Sequence, residues 1–248
     1  MDVSLYQAAA AMSASARWQE VISENLASSQ IPGFKKQDLS FSAVQARTAG
    51  NSPSNARRFA MPQAVATTNH QAGELRSTGV ATDLALEGPG VFEVQMPGGR
   101  RGYTRDGGFR VSAQGKLVTK QGLPLMGDTG PLQLDPSNPG PISVAPTGEV
   151  SQGAVLKGRL KLSEFSDPGA LVSTGTGLFV AADPAVQPPA ASAASVRQGF
   201  VENANTSSVT EMANLISAMR LFQANQKVIQ SADDRVGRLI TDVGNPPA

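Results

Sequence analysis

The chain has 248 residues, of which 40% are hydrophobic and 17% charged, so it is long enough to bury a core in one large domain or two smaller ones. A formal net charge of +1 predicts no nucleic-acid partner and no attraction to an anionic membrane. The absence of cysteine excludes disulfides, a thiolate nucleophile and a sulfur-ligated metal. No run of about 18 apolar residues occurs, so we expect no membrane insertion. The first residues lack the pattern of a secretory signal, so we also expect no cleaved signal peptide.

A heptad pattern predicts an α-helix over residues 2–29. Along one face of this helix the polar Gln19 is accompanied by apolar or small side chains at Leu5, Ala8, Met12, Ser15, Ile22 and Leu26. Alanine and serine bury little apolar surface, so this face cannot stabilise the helix alone and needs a partner helix close to it. Pro32 and Gly33 end the pattern, because proline pushes the preceding residue out of helical dihedrals and the Pro-Gly pair suits a type II turn.

The middle of the chain contains three segments of different composition. Residues 42–72 lack periodicity and are rich in small polar residues, which predicts an extended connector. Residues 73–183 hold short β-type runs, as at 91–94 and 160–162, separated by glycine and proline. This pattern predicts an antiparallel β barrel or sandwich. Residues 184–195 are rich in proline and alanine, which predicts a linker.

A second heptad pattern predicts a helix over residues 208–242, opened by a capping box from Ser208 to Glu211. Its apolar face repeats every seven residues, with a companion series beside it: Leu215, Phe222, Ile229 and Val236, then Met212, Met219, Gln226, Asp233 and Ile240. We interpret the two terminal helices as partners in a coiled coil, whose polar seam residues set the register or the choice of partner. The pattern leaves an alternative open, in which each helix covers the β domain instead.

The inventory of reactive side chains argues against an enzyme. His70 is the only histidine and lies in the polar connector, so neither a histidine-based triad nor a multi-histidine metal site is available. Asp233 and Asp234 are the only adjacent carboxylates, and neighbouring helical residues point about 100° apart, so this pair cannot flank one bond. The glycines between the β-type runs match no phosphate-binding loop. We therefore predict no catalytic site, no cofactor and no metal site.

Three motifs resemble, in order, those of the flagellar rod and hook axial proteins. The first is NLA at residues 25–27 with PGFK at 32–35. The second is LALEGPGVF at 84–92 with YTRDGGF at 103–109. The third is GFVENAN at 199–205, followed by EM at 211–212 and MR at 219–220. Because the motifs span nearly the whole chain, the resemblance is specific.

This resemblance implies a structural subunit of the bacterial flagellar basal body, the periplasmic rod. Members of the family are exported unfolded through the flagellar type III apparatus and assemble with other rod subunits and with copies of themselves. Their paired terminal helices line a tube that transmits motor torque, and the β domain lies outside the helices. Among members, the short length and the Met1-Asp2 opening with Tyr6 are most similar to the proximal rod subunits. The distal rod subunits are the close alternative.

The combined prediction is a mainly β chain with terminal α-helices. Residues 1–41 and 196–248 form a discontinuous helical domain, and the β domain is inserted into it. The predicted assembly interface consists of Leu5, Met12, Ile22, Leu26, Met212, Leu215, Met219, Phe222, Ile229 and Val236, and the predicted family-motif turn consists of Asn25, Pro32, Gly33 and Phe34. A second function stays open, an extracellular β-domain binding module that its terminal helices only dimerise.

Overall fold

The structure, a computed structural model, describes residues 3–47, 58–138, 140–165, 167–183, 188–191 and 193–244. Helix α1 spans Val3–Ser28 and helix α2 spans Ser208–Gly244. The strands between them are β1 Gln37–Arg47, β2 Arg58–Thr68, β3 Leu75–Ser77, β4 Leu84–Glu87, β5 Val91–Gln95, β6 Arg101–Thr104, β7 Arg110–Val111, β8 Leu117–Val118, β9 Met126–Gly127, β10 Gly130–Pro131, β11 Ile142–Val144, β12 Glu149–Gln152, β13 Val155–Arg159, β14 Leu162–Ser163, β15 Leu171–Ser173, β16 Leu178–Ala181, β17 Ser195–Gln198 and β18 Phe200–Glu202. Short 3-10 helices lie at Pro97–Gly99 and Pro168–Ala170. This order confirms the prediction of a mainly β chain with terminal helices.

The chain divides into two compact units. The helical unit comprises Met1–Leu26, Gln37–Thr67 and Ser208–Ala248, and the β unit comprises Ala27–Lys36 and Thr68–Ser207. The sequence prediction placed residues 27–36 with the terminal helices, whereas in the structure they belong with the β strands.

The helical unit contains a two-stranded sheet besides its two helices. Strands β1 and β2 pair with each other in this sheet. They overlap the predicted connector 42–72, and the sequence did not indicate them because alanine, glutamine and Pro62 are unfavourable in strands. Trp18 of α1 meets Phe41 of β1 edge to face, with ring centroids 6.1 Å apart. The sheet is therefore packed on α1.

The β unit is built from small antiparallel sheets around one main apolar cluster. Its largest sheet has the strand order β14-β5-β6-β16-β15, and its other sheets have two or three strands. The main cluster consists of Leu84, Leu86, Phe92, Val94, Phe109, Leu117, Leu125, Leu132, Leu134, Val144, Val150, Leu160, Leu162, Leu178 and Val196. The described strands do not close into a barrel, so the barrel form of the prediction is wrong. Turns at glycine and proline end these strands after a few residues, before a continuous wall can form.

The end of the predicted linker 184–195 is part of the β unit. The Ala191 N–H donates a hydrogen bond to the Leu162 carbonyl at 3.0 Å, and Ala191 and Ala194 pack against the main apolar cluster.

In the described part of the chain, neither helix contains a stretch both long and apolar enough to cross a bilayer.

Candidate assembly interface and motif junction

Among the α2 side chains that the structure describes, 208–238, the least exposed lie on one face, at alternating spacings of three and four residues. This inner face consists of Ser208, Glu211, Leu215, Ala218, Phe222, Asn225, Ile229 and Ala232, with Asn214 at its edge. Leu215, Phe222 and Ile229 therefore share a face, as the heptad pattern predicts. Val236 continues their series but is exposed.

The described members of the predicted companion series, Met212, Met219, Gln226 and Asp233, are exposed, and the side chain of Ile240 lies outside the described residues. Ala218 is fully buried, whereas Met212 and Met219 are 53% and 49% exposed. A helical residue shares a face with neighbours three or four positions away, so either Ala218 or Met219 could accompany Leu215. The prediction from the sequence chose Met219 because its side chain is larger and apolar. The structure buries Ala218, whose carbonyl faces the Gln19 amide of α1, and leaves Met219 exposed.

Two polar contacts join the helices across the inner face. The Gln19 side-chain amide lies 3.5 Å from the Ala218 carbonyl, and the Asn225 side-chain amide lies 3.4 Å from the Ser15 hydroxyl. Because residue numbers rise along α1 and fall along α2 between these contacts, the helices run antiparallel. Of the predicted assembly residues on α1, Ile22 is buried and Met12 and Leu26 are half-buried, while the side chain of Leu5 lies outside the described residues.

A second apolar face of α2 is exposed to solvent. We call it the outer stripe, and it consists of Val209, Met212, Ile216 and Met219. Leu221 and Val228 are exposed as well, but they lie on the other side of the inner face. At 100° per residue, the centre of the outer stripe lies roughly 110° around the helix from the inner face. Met212 and Met219 of the predicted interface lie roughly 40–80° around the helix from Leu215 and Phe222, on the exposed flank of the inner face rather than within it.

Asn25 connects the end of α1 to the start of β1. Its side-chain oxygen accepts a hydrogen bond from the Gln37 N–H at 2.8 Å, and its side-chain amide donates to the Gln37 carbonyl at 2.9 Å. This pair reproduces a backbone ladder, so a buried asparagine satisfies two main-chain groups at once.

The other motif residues meet in the β unit at what we call the motif junction, formed by Gly33, Lys35, Arg105, Glu202 and Asn205. The Glu202 carboxylate accepts hydrogen bonds from the Lys35 ammonium at 2.5 Å, the Gly73 N–H at 2.7 Å and the Arg105 guanidinium at 3.3 Å. The Lys35 and Glu202 side chains are each 1% exposed. One carboxylate therefore serves two cations, and the three charged residues come from distant parts of the sequence.

Burial dominates the electrostatics of this junction. Desolvation lowers the pKa of Lys35, and the nearby Glu202 carboxylate opposes that shift. Desolvation likewise lowers the pKa of Arg105. The Arg105 guanidinium also donates to the carbonyl oxygens of Leu86 at 3.1 Å and Gly88 at 2.6 Å. Backbone carbonyls thus share in solvating the buried cation.

Asn205 hydrogen-bonds the segment that follows α1 to the rest of the β unit. Its side-chain oxygen accepts from the Lys36 N–H at 2.8 Å, and its amide donates to the carbonyls of Asn69 at 2.8 Å and Gln71 at 3.1 Å. The Gly33 N–H donates to the Glu202 carbonyl at 2.7 Å. Within the predicted motif turn, Gly33 and Phe34 are buried and Pro32 is half-buried.

The sequence did not identify Lys35, Arg105 and Glu202 as one buried cluster. Each lies inside a recognised motif, and both Lys35 and Glu202 directly follow apolar residues in PGFK and GFVENAN. A charged residue in an apolar run is a signal for a buried partner of opposite charge. The signal does not say which partner, because the three positions lie far apart in the chain.

Gly33 packs directly against the backbone of the second motif. A Cβ at Gly33, whose φ is +68°, would lie 2.2 Å from the Arg105 carbonyl carbon. Gly79 has nearly the same φ, +69°, and a Cβ there would meet nothing within 4 Å. An alanine at Gly79 would therefore test backbone strain alone, whereas an alanine at Gly33 would add steric overlap.

We expect Gly33→Ala to destabilise the β unit by at least about 4 kcal/mol, and Gly79→Ala by only about 1–2 kcal/mol from left-handed backbone strain. Thermal unfolding of both full-length variants measures the difference. Equal melting temperatures in the two variants would contradict the close approach at Gly33.

Asp106, in the second motif, is buried beside the junction. Its carboxylate accepts from the Gly108 N–H at 2.9 Å, and desolvation raises the pKa of the carboxyl group. The folded protein therefore binds more protons than the unfolded chain from about pH 4 up to the raised pKa. Its stability falls as the pH rises through this window.

We expect Asp106→Asn to remove this loss while keeping the acceptor for Gly108. The stability difference in favour of the variant should grow from pH 4 to pH 7, as measured by urea unfolding. A pH dependence identical to that of the wild type would refute the assignment.

The reactive residues singled out from the sequence belong to different units, His70 to the β unit and Asp233 and Asp234 to the helical unit. The His70 ring lies in the β unit, 5.7 Å from the Phe179 ring. Asp233 and Asp234 are exposed on α2. Among the described residues, no group of three or more histidine, aspartate or glutamate side chains is arranged to hold a metal ion.

Comparison with known proteins matches two of the segments that meet at the junction. Residues 197–242 match the family described as flagellar basal body rod FlgEFG protein C-terminal, and residues 85–152 match the flagellar hook protein FlgE/F/G D1 domain. The flagellar basal-body rod protein FlgF of Caulobacter vibrioides is 34% identical, over 96% of this chain and 100% of that protein. FlgF of Escherichia coli is 32% identical, over 96% and 97% of the two chains. FlgG of Buchnera aphidicola is 32% identical, over 88% and 91%. These matches confirm the resemblance carried by the three motifs, and the chain belongs to the family of flagellar basal-body rod proteins that includes FlgF and FlgG.

Proposed function

We propose that this chain is a structural subunit of the flagellar basal-body rod, which assembles with other rod subunits and copies of itself through its terminal helices. The rod lies in the periplasm and transmits torque from the motor to the hook. The subunit reaches it through the flagellar type III export apparatus without a cleaved signal peptide. The names of its full-length relatives support the structural role.

The proposal of an assembly surface is supported by the division of α2 into two faces. The inner face is occupied within the subunit, where Ala218 and Asn225 contact α1. The outer stripe leaves Ile216 and Met219 exposed in the same stretch of helix. Exposed apolar stripes of this kind mark protein–protein contacts in soluble chains.

A helical tube gives this stripe a partner in every subunit. Each subunit of a tube makes the same head-to-tail contact with its neighbours, so one stripe is buried many times over. The inner face would orient α1 and α2 within a subunit, and the outer stripe would hold subunits together. The coiled-coil character of the inner face rests on its alternating spacing and on its two polar contacts.

The experiment is to delete the gene for this chain and examine purified basal bodies by mass spectrometry. We expect the deletion strain to be non-motile, and the full chain to restore both motility and its own peptides in basal bodies. A matched variant ending before Ser208 should restore neither. If instead the protein accumulates outside the cell as a dimer and motility survives its loss, the binding-module alternative holds.

A further inference from the structure

The β unit contains a cavity of about 140 Å³ beside the motif junction. Lys35, Arg105 and His70 lie in its lining, together with the apolar side chains of Leu171 and Phe179. A space of this size admits a small organic group rather than a single water. It therefore combines a cationic part with apolar walls.

The cationic part carries an excess of positive charge. Lys35 and Arg105 share the Glu202 carboxylate, which leaves a formal charge of +1 on these three side chains, nearly closed to solvent. The Asp106 carboxylate beside them lies 3.9 Å from the Lys120 ammonium, which balances it separately. Glu164 is the acidic side chain of the cavity lining, and within the described residues it makes no ion pair with either cation. A buried charge without a counter-ion is costly, so the cluster attracts an anion.

One N–H of the Lys35 ammonium is not used by a described protein acceptor. Among the described groups, the Lys35 ammonium donates to Glu202 and Gln71, which uses two of its three N–H groups. Burial lowers the pKa of Lys35 and of Arg105 in spite of Glu202, so that carboxylate does not fully offset the desolvation of the two cations.

We propose that this cavity is a binding site for a carboxylate carried on a short apolar stem. The carboxylate neutralises the Lys35–Arg105 cluster, and the stem contacts Leu171 and Phe179. The same chemistry is found in a free short-chain carboxylic acid and in the acidic side chain of another protein. The rod-assembly proposal does not require this site, so a result against one proposal leaves the other unaffected.

The single histidine offers a direct probe. The imidazole signals of His70 in the full-length protein can be followed by nuclear magnetic resonance during titration with butyrate, with chloride at matched ionic strength as the control. We expect saturable shifts with butyrate, at a dissociation constant on the order of 1 mM, as suits a ligand of about six heavy atoms. Chloride should produce no saturable shift.

Two variants separate a specific site from a general effect of salt. Glu164→Gln removes the opposing charge from the lining and should tighten butyrate binding by about threefold to tenfold. Leu171→Phe fills part of the cavity and should weaken binding at least about tenfold. If Leu171→Phe fails to fold, the Glu164→Gln titration alone decides. No saturable shift with butyrate, or an affinity unchanged in Glu164→Gln, would overturn the proposal.

A capped tripeptide with a central glutamate distinguishes the two sources of the carboxylate. Binding of both butyrate and the peptide supports a site open to an acidic side chain of another protein. Binding of butyrate alone supports a site for a free short-chain acid. Binding of neither removes the site.

Discussion

Replacement of Glu202 by glutamine is expected to lower the free energy of unfolding by about 3–5 kcal/mol, because it leaves two buried cations without their carboxylate. Lys35 and Arg105 would keep their positions only at the full cost of desolvation. Urea unfolding of the full-length protein, followed by circular dichroism, measures the change. Because both cations are buried, this loss should exceed that at an exposed ion pair of the β unit.

A matched control comes from Glu87, which also lies on a strand of the β unit. Its ion pair with Arg197 is 3.3 Å long, and both side chains are about half exposed. Glu87→Gln should therefore change the stability by less than about 1 kcal/mol. Equal losses in Glu202→Gln and Glu87→Gln would show that burial does not decide the strength of the Glu202 contacts.

A second comparison tests whether charge balance governs the junction. Lys35→Met removes one of the two cations and leaves Arg105 paired with Glu202. It also removes the hydrogen bond from Lys35 to Gln71. We expect Lys35→Met to be less destabilising than Glu202→Gln, since only the latter leaves uncompensated charge. The reverse order would mean that hydrogen bonds outweigh charge at this site.

Replacement of Ile216 by aspartate is expected to abolish incorporation into the rod and motility while leaving the folded subunit intact. Ile216 is exposed in the outer stripe, so the subunit itself loses little by the change. Burial of an unpaired aspartate at each subunit contact would cost several kcal/mol, and a polymer repeats this cost at every step. Motility assays, basal-body composition and thermal unfolding together measure the outcome.

The control is Gln230→Asp, which introduces the same charge on an exposed part of the same helix. Gln230 lies beyond the outer stripe, and its neighbours three and four residues away are exposed polar residues: Gln226, Lys227, Asp233 and Asp234. We expect this variant to assemble and swim. If Ile216→Asp also assembles at the wild-type level, the outer stripe is not the assembly surface.

A third substitution distinguishes the two faces of α2. Phe222→Asp places a charge on the inner face, beside the buried Ala218. It should reduce the helical circular dichroism of the isolated subunit, which Ile216→Asp should not do. Equal effects of the two substitutions on the isolated subunit would contradict the division into an inner face and an outer stripe.

The sequence alone determined the elements whose signal is local. Heptad spacing indicated both terminal helices, and the Pro32-Gly33 turn indicated where the first helix pattern stops. Because the sequence has no cysteine, it contains no disulfide and no thiolate nucleophile, and its single histidine cannot form a multi-histidine metal site. Composition and spacing depend only on the residues themselves and their neighbours along the chain, so no tertiary contact was required.

Only the tertiary structure decided which of several equally spaced partners meet. Ala218 rather than Met219 is buried on the inner face, although the spacing allows either, because the position of α1 selects the residue that faces it. Lys35, Arg105 and Glu202 converge although they lie far apart in the chain, because a buried charge is stable only beside a counter-charge, which the fold must bring to it. Local sequence patterns record that such a residue needs a partner. The identity of the partner depends on long-range packing, which no local pattern contains.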